Sequence, residues 1–354
     1  MFRLLYIFIL LFSITKADEY DFDMSAIEQK PYEYSGYIRL DNKTQQLQDD
    51  TKAHQNYLHV EALLNFSYNV DIFNFYASDI VSYDYIKSRT SENDSTVNDL
   101  YLQAQLNTNH SLLVGKESLG WGKGYFFNPV AFFDRVKDPT QPTQAREGFV
   151  IAKYNYNKSF SSELKNLSFD FVYLPSTDEI KDDTNIASRL YLLLYDTDID
   201  IIYNYASESS NKIGIDFSKN IQTNFELHGE YANILDAGYS YLLGIRYLTD
   251  FELTIISEYI YHSMGLTKEE TTKDYAITLF TQKEPFSFLY STLYYKNMLN
   301  LQDNSMQNKV GVTYAFKNNL HVDISYNINS GSSSSEFGKK HVEDFLWLRL
   351  TWSY

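Results

Sequence analysis

Along most of this chain, apolar and polar residues alternate one by one in short runs. Clear examples are LSFDFVYL (167–174), IDIIYNYA (199–206), IQTNFELHGEY (221–231), YSYLLGIRYL (239–248), LHVDISYNI (320–328) and FLWLRLTWSY (345–354). In LHVDISYNI, Leu320, Val322, Ile324 and Tyr326 fall on one side, and His321, Asp323, Ser325 and Asn327 on the other. A period of two puts successive side chains on opposite faces of a strand and cannot build the apolar stripe of an amphipathic helix. The pattern predicts about eighteen strands, beginning near residues 32, 57, 70, 98, 110, 148, 166, 186, 197, 211, 221, 239, 251, 273, 286, 306, 319 and 343. Their lengths suit a tilted membrane-crossing strand, which needs about 9–11 residues.

The connections sort by parity. After even-numbered strands they are mostly short: 107–109, Asp196, Lys219-Asn220, Thr249-Asp250 and Lys317-Asn318. After odd-numbered strands they are longer: 41–56, 83–97, 118–147, 175–185, 262–272, 297–305 and 328–342. Segments 157–165 and 207–210 break the rule. Short periplasmic turns alternating with longer external loops are the mark of an outer-membrane barrel with both termini in the periplasm. A soluble β-sandwich has no reason to sort its loops this way. In the last run Leu348, Leu350, Trp352 and Tyr354 share a face. A final strand closing on an aromatic resembles the terminal signal of outer-membrane barrels, which implies the barrel-assembly machinery as a partner through the strand ending at Tyr354. The expected fold is all-β: a transmembrane antiparallel β-barrel of about eighteen strands.

Composition adds the compartment. The N-terminus MFRLLYIFILLFSITKA has one arginine, an apolar stretch from Leu4 to Ile14, and small residues at Thr15 and Ala17. This predicts a secretory signal peptide over 1–17, cut after Ala17. The stretch is shorter than the roughly 20 residues of a spanning helix, and the acidic run that follows disfavours a buried core helix. Residues 18–31 then form a short periplasmic segment, too small for a plug domain, and 32–354 the barrel. With no cysteine, the chain has no lipid-anchor site, disulfide or thiolate metal site. Mean hydropathy is −0.37, yet 17% of residues are aromatic. Polar on average but rich in rings, such a chain suits a barrel with aromatic girdles, in contact with outer-membrane lipid and lipopolysaccharide. A formal charge of −16 argues against nucleic acid, whose phosphates call for a basic surface.

Alternation also assigns the lumen. The inward set includes Glu61, Asp170, Asp198, Asp200, Asp216, Glu226, Glu230, Glu252, Glu258 and Asp323, against Lys153, Arg189, Lys212, Arg246, Lys309 and Arg349. Arg or Lys in mid-bilayer lipid costs about 2–4 kcal/mol, so charges belong inside. Barrels of roughly 16–18 strands enclose water. Two readings of these charges follow: a weak cation preference from the acidic excess, or simple pairing along a solvated wall.

One segment breaks the rhythm. Residues 118–147 hold three of the six prolines, a GWGKG run and a block of aromatics. By position they form the third external loop, the one that general porins fold inward. Glycine allows close backbone approach, the X-Pro steps at 129, 139 and 142 forbid helix, and Trp121, Tyr125, Phe126, Phe127, Phe132 and Phe133 need a wall to pack against. The expectation is an ordered internal constriction. Its expected solute-contact residues are Trp121, Lys123, Tyr125, Phe127, Arg135, Lys137, Arg146 and Glu147, with Lys123, Arg135 and Lys137 best suited to anionic groups. Lumen charges placed with them are Arg189, Glu226, Glu230, Arg246, Glu258, Asp323 and Arg349.

The sequence V-G-K-E, then W-G-K-G, N-P, F-F-D-R, D-P-T and R-E-G, resembles a motif of large Gram-negative outer-membrane porin-like proteins. The pattern falls on Trp121, Gly122, Gly124, Asn128, Pro129, Asp134, Asp138, Pro139, Arg146, Glu147 and Gly148. The resemblance covers about a tenth of the chain. It implies a porin-like barrel and names no substrate and no catalytic residue.

Other signals carry less. The histidines at 54, 59, 110, 228, 262, 321 and 341 show no ligand spacing, DTDID at 196–200 lacks the glycine and distal glutamate of a calcium loop, and G-x-S-x-G is absent. No catalytic residue, metal or cofactor is expected. SGSSSSEFGKK (330–340) has the composition of a flexible external loop. The sequence therefore predicts a non-enzymatic outer-membrane channel for passive diffusion of small hydrophilic solutes, narrowed by 118–147. The alternative is a closed barrel acting as adhesin, assembly scaffold or outer-membrane component of an exporter. Oligomeric state is left open.

Overall fold

A computed structural model describes residues 30–48, 53–86, 91–177, 183–264 and 273–354. The expected signal peptide lies outside the described residues, as does most of the 18–31 segment. The strands are β1 (Tyr32–Leu47), β2 (His54–Val70), β3 (Phe73–Ile86), β4 (Glu92–Gln105), β5 (His110–Glu117) and β6 (Phe149–Ser159). Next come β7 (Leu164–Leu174), β8 (Asn185–Leu194), β9 (Thr197–Ala206), β10 (Lys212–Gln222), β11 (Phe225–Ile234) and β12 (Gly238–Leu248). The last are β13 (Leu253–His262), β14 (Lys273–Lys283), β15 (Ser291–Asn300), β16 (Met306–Ala315), β17 (Leu320–Ser330) and β18 (Val342–Ser353).

Each strand pairs antiparallel with the next, and β18 returns to β1, making one closed 18-stranded sheet. At the seam Ile38 faces Trp352 and Asp41 faces Arg349. Beyond the last strand residue, Tyr354 and Gly36 exchange two backbone hydrogen bonds of 3.1 and 3.2 Å. Closure leaves no edge with unpaired N–H and C=O groups, the only form in which a sheet survives in hydrocarbon. No described helix is long and apolar enough to cross a membrane.

The period of two sorts the side chains as alternation requires. On β9, Ile201, Tyr203 and Tyr205 are exposed outside, while Asp200, Ile202 and Asn204 are buried inside. Exposed Leu, Val, Ile, Phe and Tyr cover most of the outer face in this way. Inside, the wall is less uniformly polar than alternation implied. Val172, Leu174, Ala187, Ile202, Leu242, Ile260 and Ile277 point inward and are buried, because they receive the third loop.

Three strand starts move by four residues or more. The fourth begins at Glu92 instead of 98 and the eleventh at Phe225 instead of 221, since β10 continues through Lys219-Asn220 to a turn at 223–224. The fifteenth begins at Ser291 instead of 286. Pro285, which lacks an N–H, starts a short 3-10 turn over Pro285–Ser287 in its place. The loops expected at 41–56 and 83–97 shrink to 48–53 and 87–91, because the polar rows Lys43–Gln46 and His54–Tyr57 keep pairing. Parity still holds for most connections; the former exception at 157–165 contracts to 160–163, and 284–290 becomes the long even turn. Glu252, expected inside, sits exposed in the 249–252 turn with φ +65°.

Segment 330–340 is folded, against its composition. Phe337 is buried, Ser335 Oγ donates to Ser332 O at 2.7 Å, and Glu336 accepts from Lys273 (3.0 Å), Tyr275 (2.7 Å) and Asn300 (2.6 Å). One apolar anchor and one multiply bonded carboxylate outweigh the conformational freedom of a serine-rich run.

An arginine placed on the outer belt, as in Ile201→Arg, should destabilise the barrel by about 2–4 kcal/mol. Urea unfolding in lipid vesicles, followed by tryptophan fluorescence, measures it.

Candidate functional site

The irregular segment between β5 and β6 runs inside the barrel, held by acidic side chains that accept its backbone N–H groups. On β11, Glu230 accepts from Lys123 and Gly124 at 2.6 Å each and from Val130 at 3.2 Å. On β13, Glu258 accepts from Phe126 at 3.0 Å and from the Tyr125 N–H. Asp134, within the loop, accepts from Ser118 Oγ (2.8 Å) and from the N–H groups of Gly120 (3.0 Å) and Trp121 (3.1 Å). A buried backbone donor without a partner costs about 1–3 kcal/mol, and a charged acceptor bonds more strongly than a neutral one. The glycines permit the approach. Gly122 has φ +98°, and a Cβ on it would sit 2.9 Å from Glu230 Oε1; a Cβ on Gly124 would sit 2.0 Å from Phe127 O.

Apolar contacts seat the same segment. Trp121, Val130 and Phe133 pack on Leu113, Ile151, Val172, Leu174, Ala187 and Ile202. Trp121 meets Phe133 edge-on at 6.2 Å. Phe126 and Phe127 join Leu242, Ile260, Tyr275, Ile277 and Phe337, with Phe127 stacked on Tyr275 at 6.1 Å. Trp121 is only 2% exposed. These rings anchor the loop and offer no open face to a solute.

The basic residues of the loop are engaged as well. Lys123 Nζ lies 2.7 Å from Asp200 and 3.7 Å from Asp216, and Lys137 Nζ donates to Gly124 O at 2.6 Å. Burial, and then the charge of Arg146, lower the Lys137 ammonium pKa. Arg135 pairs with Glu147 at 3.2 Å, Glu147 also with Lys116, and Arg146 donates to Arg135 O at 3.0 Å. Of the wall charges, Arg189 pairs with Asp170 at 2.7 Å and lies over the Trp121 ring at 5.4 Å. Tyr125 Oη donates to Glu226 at 3.0 Å, Arg246 is 4.0 Å from the same carboxylate, and His228 bridges it to Glu258. Asp323 accepts from Tyr294 at 2.8 Å.

The distal limb of the loop reaches the other side of the barrel. Lys296 on β15 donates to Pro139 O and Thr140 O at 3.0 and 2.9 Å, and Arg349 on β18 donates to Gln141 Oε1 at 2.6 Å. Between residues 140–145 and this wall lies a cavity of about 390 Å³, lined also by Tyr37, Arg39, Leu63, Lys309 and Arg349. Arg39 pairs with Glu61 at 2.8 Å and Arg349 with Asp41 at 2.6 Å. Lys309 rests on the Trp347 ring at 4.3 Å, with Lys43 at 4.2 Å from that ring. Neither lysine makes an ion pair among the described residues. The loop's side of the cavity, Thr140 to Ala145, contributes no carboxylate.

Of the residues expected on the lumen wall, Arg349 and Lys309 line this cavity, Lys309 without having been placed in the site; Arg39, Lys43, Lys296 and Trp347 escaped sequence reading. Inward alternation next to Asp41 and Glu61 was the available signal for Arg39 and Lys43. Nothing in the chain pattern says which of eighteen walls the loop leaves uncovered.

Several solved structures share the fold of this closed barrel. OccK5 (OpdH) of Pseudomonas aeruginosa superimposes with a TM-score of 0.61 at 10% identity, over 91% of this chain and 97% of that one. OccAB4 of Acinetobacter baumannii gives 0.58 at 10% identity, over 92% and 99%. Wzi of Escherichia coli, an outer-membrane protein involved in group 1 capsule assembly and described as a carbohydrate-binding β-barrel, gives 0.57 at 10%, over 89% and 83%. At this identity the likeness is one of fold. No family model and no curated protein sequence matches the chain.

Removing one wall acceptor, as in Glu230→Ala, should weaken loop docking by about 2 kcal/mol or more. Limited trypsin digestion should then cut at Lys123, Arg135 or Lys137, while the unheated barrel keeps its folded mobility on a gel.

Proposed function

We propose that the protein is a non-enzymatic outer-membrane channel through which small hydrophilic solutes diffuse passively. Export by residues 1–17, insertion by the barrel-assembly machinery through the β18 terminus, and contact with lipid and lipopolysaccharide belong to the same reading. The observation that carries it is the polar cavity beside the docked loop, inside a closed barrel with an apolar exterior. The acids that suggested a cation preference are engaged elsewhere: Glu230 and Glu258 hold the loop, and Asp200 and Asp216 hold Lys123. Facing the cavity, against an uncharged limb of loop, are Arg39 and Arg349, paired with Glu61 and Asp41 in the wall, and Lys309, which makes no ion pair among the described residues. The passage therefore favours anionic solutes, and the loop's own cations fix its shape instead of meeting the solute.

A second reading is supported by the loop's reach, since one segment bonds to β9, β11, β13, β15 and β18. A barrel strapped across in this way could be closed and serve as an adhesin, scaffold or exporter component.

Planar-bilayer recording separates the two. The intact protein should conduct with anion selectivity, and replacing Arg39, Lys309 and Arg349 together by alanine should shift the selectivity toward cations. Conductance only after deletion of 119–147 selects the closed barrel. A folded barrel silent in both forms ends the channel reading.

A further inference from the structure

We infer that the cations grouped on the Trp347 ring bind a phosphoryl dianion between Lys43 and Lys309, either free phosphate or the phosphoryl end of a small hydroxyl-bearing solute. This deepens the channel reading, on which the solute's access to the lumen rests. Three cations converge on one indole: Lys43 Nζ lies 4.2 Å from the ring centre, Lys309 Nζ 4.3 Å and Arg349 Cζ 4.5 Å. The two ammonium groups are therefore no farther apart than two such distances laid end to end. Closure of the barrel makes this group. Lys43 comes from β1, directly opposite Trp347 on β18, and Lys309 from β16 on the other side. The intervening β17 presents only Ser325 and Asn327 here, short enough for Lys309 to reach across.

The carboxylates nearby are already engaged. Asp41 accepts from Arg349 at 2.6 and 3.1 Å and from Trp347 Nε1 at 2.9 Å. Glu61 accepts from Arg39 at 2.8 Å and from Tyr37 Oη at 2.5 Å, and Asp323 accepts from Tyr294 at 2.8 Å. Asp138 in the loop turns back on Thr140 through two bonds of 2.8 Å. Arg349 is thus neutralised by Asp41, whereas neither Lys43 nor Lys309 has a hydrogen bond or ion pair among the described residues. The ring attracts each ammonium by about 0.5–2 kcal/mol but satisfies none of their six N–H donors. Their mutual repulsion stays uncompensated. A carboxylate brings one negative charge; a phosphoryl group brings about two, with three strong acceptor oxygens facing different ways. It can accept from both ammonium groups at once, through charge-assisted bonds of about 2.7–2.9 Å. Across the cavity that Lys309 lines, Gln141, Thr143 and Gln144 are uncharged and suit hydroxyl groups on the rest of a solute.

Isothermal titration calorimetry of the folded, detergent-solubilised barrel at pH 8 reads binding without requiring conduction. Inorganic phosphate and glucose 6-phosphate should bind about tenfold tighter than gluconate, which keeps the hydroxyls and carries one carboxylate. Glucose should not bind. A sugar phosphate tighter than phosphate assigns the Thr143 and Gln144 side to its hydroxyls, and the reverse order assigns the site to phosphate itself. Lys43→Met and Lys309→Met should each weaken phosphate binding about tenfold, and Lys219→Met, near the turn that follows β10, should leave it unchanged. Gluconate binding as tightly as phosphate, no phosphate binding by a barrel with folded gel mobility, or indifference to both lysine variants would overturn the inference. Phosphate binding by a barrel that never conducts supports this site while counting against the channel. An anion-selective channel that binds no phosphate does the opposite.

Discussion

Every backbone donor and acceptor that enters hydrocarbon has to be bonded within the protein, and that one requirement organises the structure. It forces the sheet to close, which here means β18 returning to β1 and the terminal Tyr354 tied to Gly36. Closure fixes an inside and an outside, so each strand must alternate. From that follow the exposed apolar belt, the charged lumen and the short turns on one side.

The same requirement acts on the third loop. An irregular segment drawn into the lumen brings N–H groups that no ladder can satisfy, and the wall answers with carboxylates. Glu230 and Glu258 between them accept five of these donors. Apolar wall patches under Trp121 and Phe127 supply the remaining docking surface. The acidic excess in the sequence is thus largely an instrument of loop placement. Much of that excess is engaged with the loop, and the charged residues that line the cavity are Arg39, Lys309 and Arg349. Net composition pointed one way and local geometry points the other.

A comparable reversal is seen at 330–340. Serine-rich composition describes a chain without reasons to fold, yet Phe337 and Glu336 supply two. Composition averages over residues, whereas docking depends on single ones.

The sequence by itself determined the strand count, most strand positions, the parity of the connections and the exceptional standing of 118–147. These are local properties: a period of two, a proline, a glycine or a run of rings acts on the residues beside it. Tertiary structure alone decided which wall the loop leans on and which cations stay free. Lys123, Arg135 and Lys137 looked available as a list of charges; Asp200, the carbonyl of Gly124 and Glu147 claim them only because closure brings distant strands together. Arg39 and Lys309 line the cavity for the same reason, being neighbours through the β1–β18–β17–β16 arc and far apart along the chain. Alternation reports a residue's side of the wall, and closure of the cylinder sets its opposite number.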